Sequence, residues 1–152
     1  MAKAKVAEQP AEDADVGALN DILGFHIRLA HGAAYRHFTE TFADLGLTQK
    51  QVSALWLIAD HPGIGQSEAG RRLQMDRATV MAIVNRLAAR GYVERSDHRG
   101  DARRRALSLL PEGAVALERA KVAIRADDAW LKSRFTKREV TQLIALLTRI
   151  HD

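Results

Sequence analysis

Apolar residues recur every three or four positions through most of the chain, which is the pattern of helices that bury one face. From residue 16 to residue 42 this spacing predicts one long helix, with Gly32 as its candidate kink site. Thr48 is followed three residues later by Gln51, and this pair predicts a capping box at the start of a second helix. We expect the second helix to end near Asp60, before the helix-breaking residues 61–65.

Two shorter helices are predicted on either side of a tight turn. The first covers residues 66–73, the turn falls at Gln74 and Met75, and Asp76 is placed to cap the helix that follows. The apolar residues of that next helix are spaced i, i+3, i+4 and i+7, so they lie on one face: Val80, Ile83, Val84 and Leu87.

A β-hairpin is predicted after these helices, because residues 92–95 and 105–109 alternate, or nearly so, between apolar and polar side chains. The nine residues between the two strands include Gly100 and many charged side chains. This composition predicts a long connection with a mobile tip.

Two further helices are predicted at residues 111–131 and 137–150, the second of them started by a capping box of Thr136 and Glu139. This order of elements predicts a mainly α fold with a small β-hairpin wing, a winged helix-turn-helix. The apolar stripes of its N- and C-terminal helices make these the candidate dimerisation helices. We expect residues 1–15 to form a disordered tail and residues 46–110 to form a DNA-binding domain. Residues 16–45 and 111–152 are expected to form dimerisation helices before and after that domain.

Positive charge is concentrated in one segment of the chain. The whole sequence carries a net charge of +4, yet residues 71–105 alone contain ten arginines, no lysine and four acidic residues. The segment therefore has a charge of +6, and the rest of the chain has a charge of −2. Because this segment also contains the predicted turn, helix and hairpin, its charge indicates a nucleic-acid partner.

The second helix of a helix-turn-helix lies in the major groove, so its outward face must offer groups that reach bases or phosphates. Arg77 or Arg86 suits guanine and Asn85 suits adenine, while the small or apolar side chains suit a thymine methyl group. The alternative is that these are ordinary solvated helix positions. The candidate DNA-binding residues of this helix are Arg77, Ala78, Thr79, Met81, Ala82, Asn85 and Arg86.

The hairpin supplies a second set of candidate DNA-binding residues. Its arginines are expected to enter a narrow minor groove, where the negative potential favours guanidinium groups, and neighbouring carboxylates can orient them. The alternative is a solvated charged loop. The candidate wing residues are Arg99, Asp101, Arg103 and Arg104.

Several segments match a known family in order and spacing. They are Leu47-Thr-Gln-Lys-Gln-Val52, Gln66-Ser-Glu-Ala-Gly-Arg-Arg-Leu73, Asp76-Arg-Ala-Thr-Val80, Arg86-Leu87, Gly91-Tyr-Val-Glu-Arg95, Asp101-Ala-Arg103 and Leu107-Ser-Leu109. Over residues 45–113 the chain resembles the MarR family of transcriptional regulators. It departs from the family pattern in two places: the wing is one residue longer, and Leu110 replaces the threonine that commonly starts the next helix.

The resemblance implies a homodimer that binds a pseudo-palindromic operator in double-stranded DNA, with repression as the usual outcome. It implies that the first, fifth and sixth helices of both chains interlock. The apolar stripes of the terminal helices independently favour a shared core, because a helix as short as residues 137–150 needs a partner surface. Packing of these stripes within one chain is the alternative.

The resemblance also implies a small-molecule effector that releases the protein from DNA. Cationic and aromatic groups are dense in the first helix, and such a set suits an aromatic carboxylate or its coenzyme A thioester. The alternative is core packing for the aromatic residues and ordinary surface positions for the histidines. The candidate ligand-binding residues are His26, Tyr35, Arg36, His37 and Trp56.

Other functional classes find little support in the sequence. It contains no GxSxG, HExxH, GxxxxGK[ST] or strand-linked GxGxxG pattern and no cysteine, so we expect no catalytic residues and no cofactor. The histidines of the first helix are not spaced i, i+4, so we also expect no metal. No apolar run is long enough to span a membrane and residues 1–15 lack a secretory pattern, so a cytoplasmic location is expected. The remaining alternative is a non-specific architectural nucleic-acid-binding protein, which the same arginines would serve.

Overall fold

Helices make up most of the protein in the computed structural model, which describes residues 16–98 and 101–151, with the backbone alone described at residues 97, 98 and 101–105. The helices are α1 Leu23–Thr41, α2 Gln49–Asp60, α3 Gln66–Arg72, α4 Arg77–Ala89, α5 Pro111–Lys132 and α6 Lys137–His151. The strands are β1 Ile64–Gly65, β2 Val93–His98 and β3 Asp101–Leu109, which form one antiparallel sheet in the order β1-β3-β2. In these ranges no helix is both long and apolar enough to cross a membrane.

The N-terminal helix begins later than predicted. A 3₁₀ turn, Gly17–Asp21, comes first, and Ile22 is extended with φ −94° and ψ 105°, so α1 begins only at Leu23. The helix then continues without a break through Gly32, the candidate kink site. A helix accommodates a single glycine at a modest cost when the residues around it keep helical geometry.

The contacts within the chain define two compact units, one ending at Tyr35 and the other spanning Arg36–Asp152. The boundary falls inside α1. The predicted disordered tail, residues 1–15, lies outside the described residues, as does Arg99.

The second unit has a hydrophobic core to which five of its helices and the sheet contribute. Phe38 and Phe42, from the end of α1 and the residue after it, stack with ring centroids 3.9 Å apart. The same cluster contains the most deeply buried side chains of the other elements: Leu55, Ile58, Val84, Leu87, Val93, Leu107 and Leu117. This core holds the helix-turn-helix and the hairpin in one packed body.

Both predicted capping boxes are confirmed. At the start of α2, the Thr48 side chain accepts a hydrogen bond from the Gln51 amide at 3.3 Å, and the Gln51 side chain accepts from the Thr48 amide at 2.9 Å. At the start of α6, Thr136 and Glu139 exchange the same two hydrogen bonds at 3.3 and 2.8 Å. Each pair satisfies backbone donors that a helix end leaves free, and each fixes where its helix begins.

The sheet is larger than the predicted hairpin. Sequence reasoning missed β1, whose Ile64 and Gly65 pair with Leu107 and Ala106 of β3, because two residues are too few to show a period. The predicted nine-residue connection between the hairpin strands is also wrong, since β2 and β3 continue pairing as far as His98 and Asp101, with an irregularity after Asp97. Charged residues predicted to be loop therefore belong to strands.

The start of α5 packs closely against the end of the helix-turn-helix segment. The Leu110 amide donates to the Tyr92 carbonyl at 2.9 Å, and Pro111 occupies the first turn of the helix. A Cβ atom built on Gly113 would lie 2.0 Å from that same carbonyl oxygen. Only glycine fits at residue 113 without moving backbone.

We therefore expect Gly113→Ala to lower the free energy of unfolding by about 1–3 kcal/mol, because backbone must shift to accept the methyl group. Gly24→Ala is the matched control. Gly24 lies in α1, another helix of the same chain, and a Cβ atom built there meets no atom within 4 Å. The control should leave stability unchanged or raise it by up to about 1 kcal/mol. Denaturant unfolding at one protein concentration compares the two variants, and equal stability would contradict the close approach.

Candidate nucleic-acid interface

The turn between α3 and α4 depends on close packing at Gly70. A Cβ atom built there would lie 3.0 Å from Cγ2 of Val80 on α4 and 3.3 Å from the Met75 carbonyl oxygen. The chain then reverses through Gln74, which has a φ of 51°, and the Met75 amide donates to the Gly70 carbonyl at 2.9 Å. The small residue and the left-handed turn together set α4 directly against α3.

Asp76 caps α4, as its sequence position predicts. Its Oδ1 accepts from the Thr79 amide at 2.9 Å, and its Oδ2 accepts from the Thr79 hydroxyl at 2.5 Å. These two hydrogen bonds, the hydroxyl first and the amide second, hold the pKa of the Asp76 carboxyl below its usual range. The cap thereby places the first turn of α4, where Arg77 begins the helix.

The two faces of α4 have opposite surroundings. All four inward residues of the predicted stripe are buried: Val80, Ile83, Val84 and Leu87. Of the seven candidate DNA-binding residues on this helix, six are exposed: Arg77, Ala78, Met81, Ala82, Asn85 and Arg86. Thr79 is the exception, because it is half-buried and its hydroxyl already bonds to Asp76. An exposed methionine at residue 81 provides apolar surface at the centre of the outward face.

Beside α4 lies an open groove with a volume of about 1330 Å³, which also borders residues 61–65, α3 and β2. Its walls include Arg71, Arg72, Arg77 and Arg95. Glu68 binds Arg71 and Arg72 with contacts of 2.7 Å each, and the pKa of Glu68 is lowered, first by Arg71 and then by Arg72. These four arginines outnumber the one glutamate in the walls, so the groove favours an anion.

Arg95 joins this surface although sequence reasoning did not single it out. It projects from β2, and its Nη2 donates to Oδ1 of Asn85 on α4 at 2.5 Å. The sequence did contain a signal, because Glu94 and Arg95 end the predicted strand within the basic segment, residues 71–105. No local pattern, however, indicates which residue of α4 the arginine contacts. The contact depends on the tertiary packing of hairpin against helix.

The structure places the wing candidates only in part. Arg99 lies outside the described residues, and the backbone of Asp101, Arg103 and Arg104 belongs to β3. The side chains of these three residues are also outside the described part, so their role on DNA stays a prediction.

The candidate ligand-binding residues are divided between the two units. In the first unit, Nε2 of His26 lies 2.7 Å from the Asn20 carbonyl oxygen, and Tyr35 stacks on His31 with ring centroids 6.1 Å apart. Arg36 is exposed at the start of the second unit. His37 and Trp56 also belong to the second unit, where each has its own set of partners.

His37 is held by two side chains of α5, and an arginine just after that helix covers one of them. Its Nδ1 lies 2.5 Å from Oδ1 of Asp127, and its ring stacks on Trp130 with centroids 3.7 Å apart and an interplanar angle of 8°. The guanidinium carbon of Arg134 lies 3.7 Å from the Trp130 ring centroid. Sequence reasoning missed these partners, although Asp127, Trp130 and Arg134 are spaced i, i+3 and i+7 as on one helical face.

Trp56 of α2 faces a cation on α5. Nζ of Lys121 lies 5.3 Å from the centre of the Trp56 ring system, and the same nitrogen binds Oε1 of Glu118 at 2.8 Å. Trp56 is also packed against the core, as the alternative interpretation expected. Within the part of the chain that the structure describes, no group of three or more histidine or acidic side chains is arranged to hold a metal.

The packed helix-turn-helix, its exposed outward face, its arginine-lined groove and the antiparallel hairpin define a winged-helix DNA-binding regulator. Over 136 residues the chain is 33% identical to a putative transcriptional regulatory protein for the hcr operon of Thauera aromatica, an alignment that covers 89% of this chain and 82% of the relative. The chain belongs to the MarR family, whose family model matches residues 45–104, and it is a transcriptional regulator rather than an enzyme.

Two further comparisons extend this identification. The homoprotocatechuate degradative operon repressor of Escherichia coli is 26% identical over 129 residues, which are 85% of this chain and 87% of that repressor. A solved structure of the transcriptional repressor CouR, bound to a 23-mer DNA duplex, superposes with a TM-score of 0.87 at 26% identity. That alignment covers 93% of this chain and 100% of CouR, which confirms the predicted fold class.

The Asp76 cap predicts a pH-dependent contribution to stability. Because folding lowers the pKa of Asp76, its carboxylate stabilises the folded protein above the ordinary aspartate pKa of about 3.9, and this contribution disappears as the pH falls through the lower folded pKa. Asp76→Asn keeps a capping oxygen that does not titrate, whereas Asp76→Ala removes the cap.

At pH 7 we expect Asp76→Ala to unfold roughly 3 °C below Asp76→Asn. The difference between the native protein and Asp76→Asn should narrow when the pH is lowered from about 5 to about 3. Thermal unfolding followed by circular dichroism measures both effects. If all three proteins show the same midpoint at every pH, Asp76 does not cap α4.

Proposed function

We propose that this regulator is a repressor that binds an inverted-repeat operator in double-stranded DNA as a homodimer, and that an aromatic acid or its coenzyme A thioester releases it. The observation that carries the proposal is the geometry of α4. One face of this helix is fixed in the core, and the other presents exposed Arg77, Met81 and Asn85 beside the arginine-lined groove.

The dimensions and chemistry of α4 suit the major groove. Its 13 residues correspond to a length of about 20 Å, and a single helix fits the width of the groove. Arg77 and Arg86 can donate to guanine or to phosphates, and Met81 with its alanine neighbours can contact thymine methyl groups. The wing arginines Arg103 and Arg104 would then follow the adjacent minor groove.

The surface of α6 supports the proposed dimer. None of its residues is buried in the single chain, although five of its apolar side chains are between 38% and 61% exposed: Leu143, Ile144, Leu146, Leu147 and Ile150. A 15-residue helix is marginally stable without a packed face, and dimers are typical of the family. A two-fold axis then requires inverted half-sites about one helical turn apart.

The second unit supports an aromatic anionic ligand. Lys121 holds a positive charge over the face of Trp56, and Asp127 fixes the orientation of the His37 ring. A carboxylate attached to an aromatic ring matches a cation next to an aromatic wall. The relative that represses a homoprotocatechuate degradative operon is named for an aromatic acid, and response to ligands is typical of the family.

Selection from a random duplex library at near-physiological salt tests operator recognition. We expect an enriched inverted repeat that one dimer binds, and at least about a thousandfold preference for it over unrelated DNA. Salt-sensitive binding without any enriched sequence would favour the architectural alternative and would overturn the proposal. Sedimentation of the complex measures whether one or two chains occupy the selected site.

Ligand release is tested with a panel of aromatic acids and their coenzyme A thioesters added to the protein on its selected duplex. We expect a panel member to dissociate the complex, and Lys121→Gln to raise the concentration required about tenfold, because a charged hydrogen bond is lost. Lys132→Gln is the matched control, since Lys132 is an exposed lysine of the same helix that pairs with Asp128.

The control should respond to the ligand as the native protein does. If no panel member changes DNA affinity, the ligand class is wrong. If Lys121→Gln and Lys132→Gln respond equally, the ligand does not bind at Lys121.

A further inference from the structure

A hydrogen bond to Arg95 fixes the side-chain amide of Asn85 on the outward face of α4. Nη2 of Arg95 donates to Oδ1 of Asn85 at 2.5 Å. An arginine carries donors only, so the amide atom that it contacts must be the carbonyl oxygen. The orientation of the Asn85 amide is therefore set by chemistry, and its NH₂ group points away from the guanidinium.

Both residues are placed by well-packed elements. Arg95 lies in β2 opposite Leu107 of β3, which is fully buried, and Asn85 lies on α4 directly after the buried Val84. The two side chains share one wall of the arginine-lined groove. The pair is thus assembled before any ligand arrives, which reduces the entropy lost when it binds.

The pair presents hydrogen-bond donors to whatever enters the groove. Adenine shows one acceptor and one donor in the major groove, so reading it requires the oxygen of an asparagine to accept from the base. In this protein that oxygen already accepts from a cation, and the guanidinium charge beside it disfavours a further N–H donor. Guanine shows two acceptors, N7 and O6, and these match the remaining N–H groups of Asn85 and Arg95.

We infer that Asn85 and Arg95 act as one unit that reads guanine, and that Arg95 determines base specificity although it lies outside α4. The inference rests on the proposed function, in which α4 enters the major groove. It replaces the adenine expected for Asn85 from its residue type alone.

Base preference at each position of the selected operator tests the inference. Competition binding with duplexes that carry each of the four bases at each half-site position is measured for the native protein, Asn85→Ala, Arg95→Gln and the double variant. We expect a guanine preference at one position of the half-site, reduced about tenfold by either single substitution at that position only. The double variant should be no worse than the single variants, because the two residues act together.

Arg71→Gln is the matched control, because it removes a charge from the same groove at an arginine whose partner is Glu68. It should weaken binding to all duplexes and leave the guanine preference intact. Circular dichroism establishes that each variant is folded. If Arg95→Gln does not fold, Arg95→Lys is measured in its place. It keeps the charge and a donor and should retain part of the guanine preference.

The possible results separate the inference from the proposed function. The inference is overturned if Arg95→Gln has the same base preferences as the native protein, or if Asn85→Ala weakens binding to all duplexes equally. Operator recognition would still stand in both cases. A preference for adenine at the position that Asn85→Ala affects also overturns it. Absence of any sequence preference in the native protein overturns the proposed function and the inference together.

Discussion

The contact between α3 and α4 at Gly70 is the constraint on which the rest of the candidate DNA-binding surface depends. Because residue 70 has no Cβ, Val80 can approach α3 and the buried face of α4 can reach the core. The outward face then has one orientation, set jointly by the Asp76 cap and by the hydrogen bond from Arg95. An alanine at position 70 would force Val80 or the Met75 carbonyl to give by a few tenths of an ångström, at the contact that positions α4.

Much of the fold could be predicted from the sequence, because its signals are local. The capping boxes at Thr48 and Thr136, the Asp76 cap and the helical spacing of apolar residues each act within a few positions of one another. The elements that were missed depend on distant residues. Strand β1 exists only because Ile64 and Gly65 meet β3 about forty positions later, and the break at Ile22 has no breaker residue to mark it.

The candidate site shows the same division between local and distant information. The exposed face of α4 follows from its helical period, and all but one of its candidate residues are exposed. The partners that give those residues their chemistry come from other elements: Arg95 reaches Asn85 from β2, and Asp127 reaches His37 from α5, ninety positions away in sequence. The sequence of α4 therefore predicted which of its side chains are exposed, and tertiary packing decides which hydrogen-bonding groups they present.

If the outward face of α4 contacts DNA bases, a bound duplex should cover a thiol that is placed on that face. The native chain has no cysteine, so Met81→Cys introduces a single thiol on that face, and Val115→Cys places one on α5, where the native valine is 64% exposed. The rate of thiol alkylation is measured for each variant with and without its selected duplex. We expect strong protection of residue 81 and no protection of residue 115, whereas equal alkylation of residue 81 with and without DNA would contradict a DNA contact at α4.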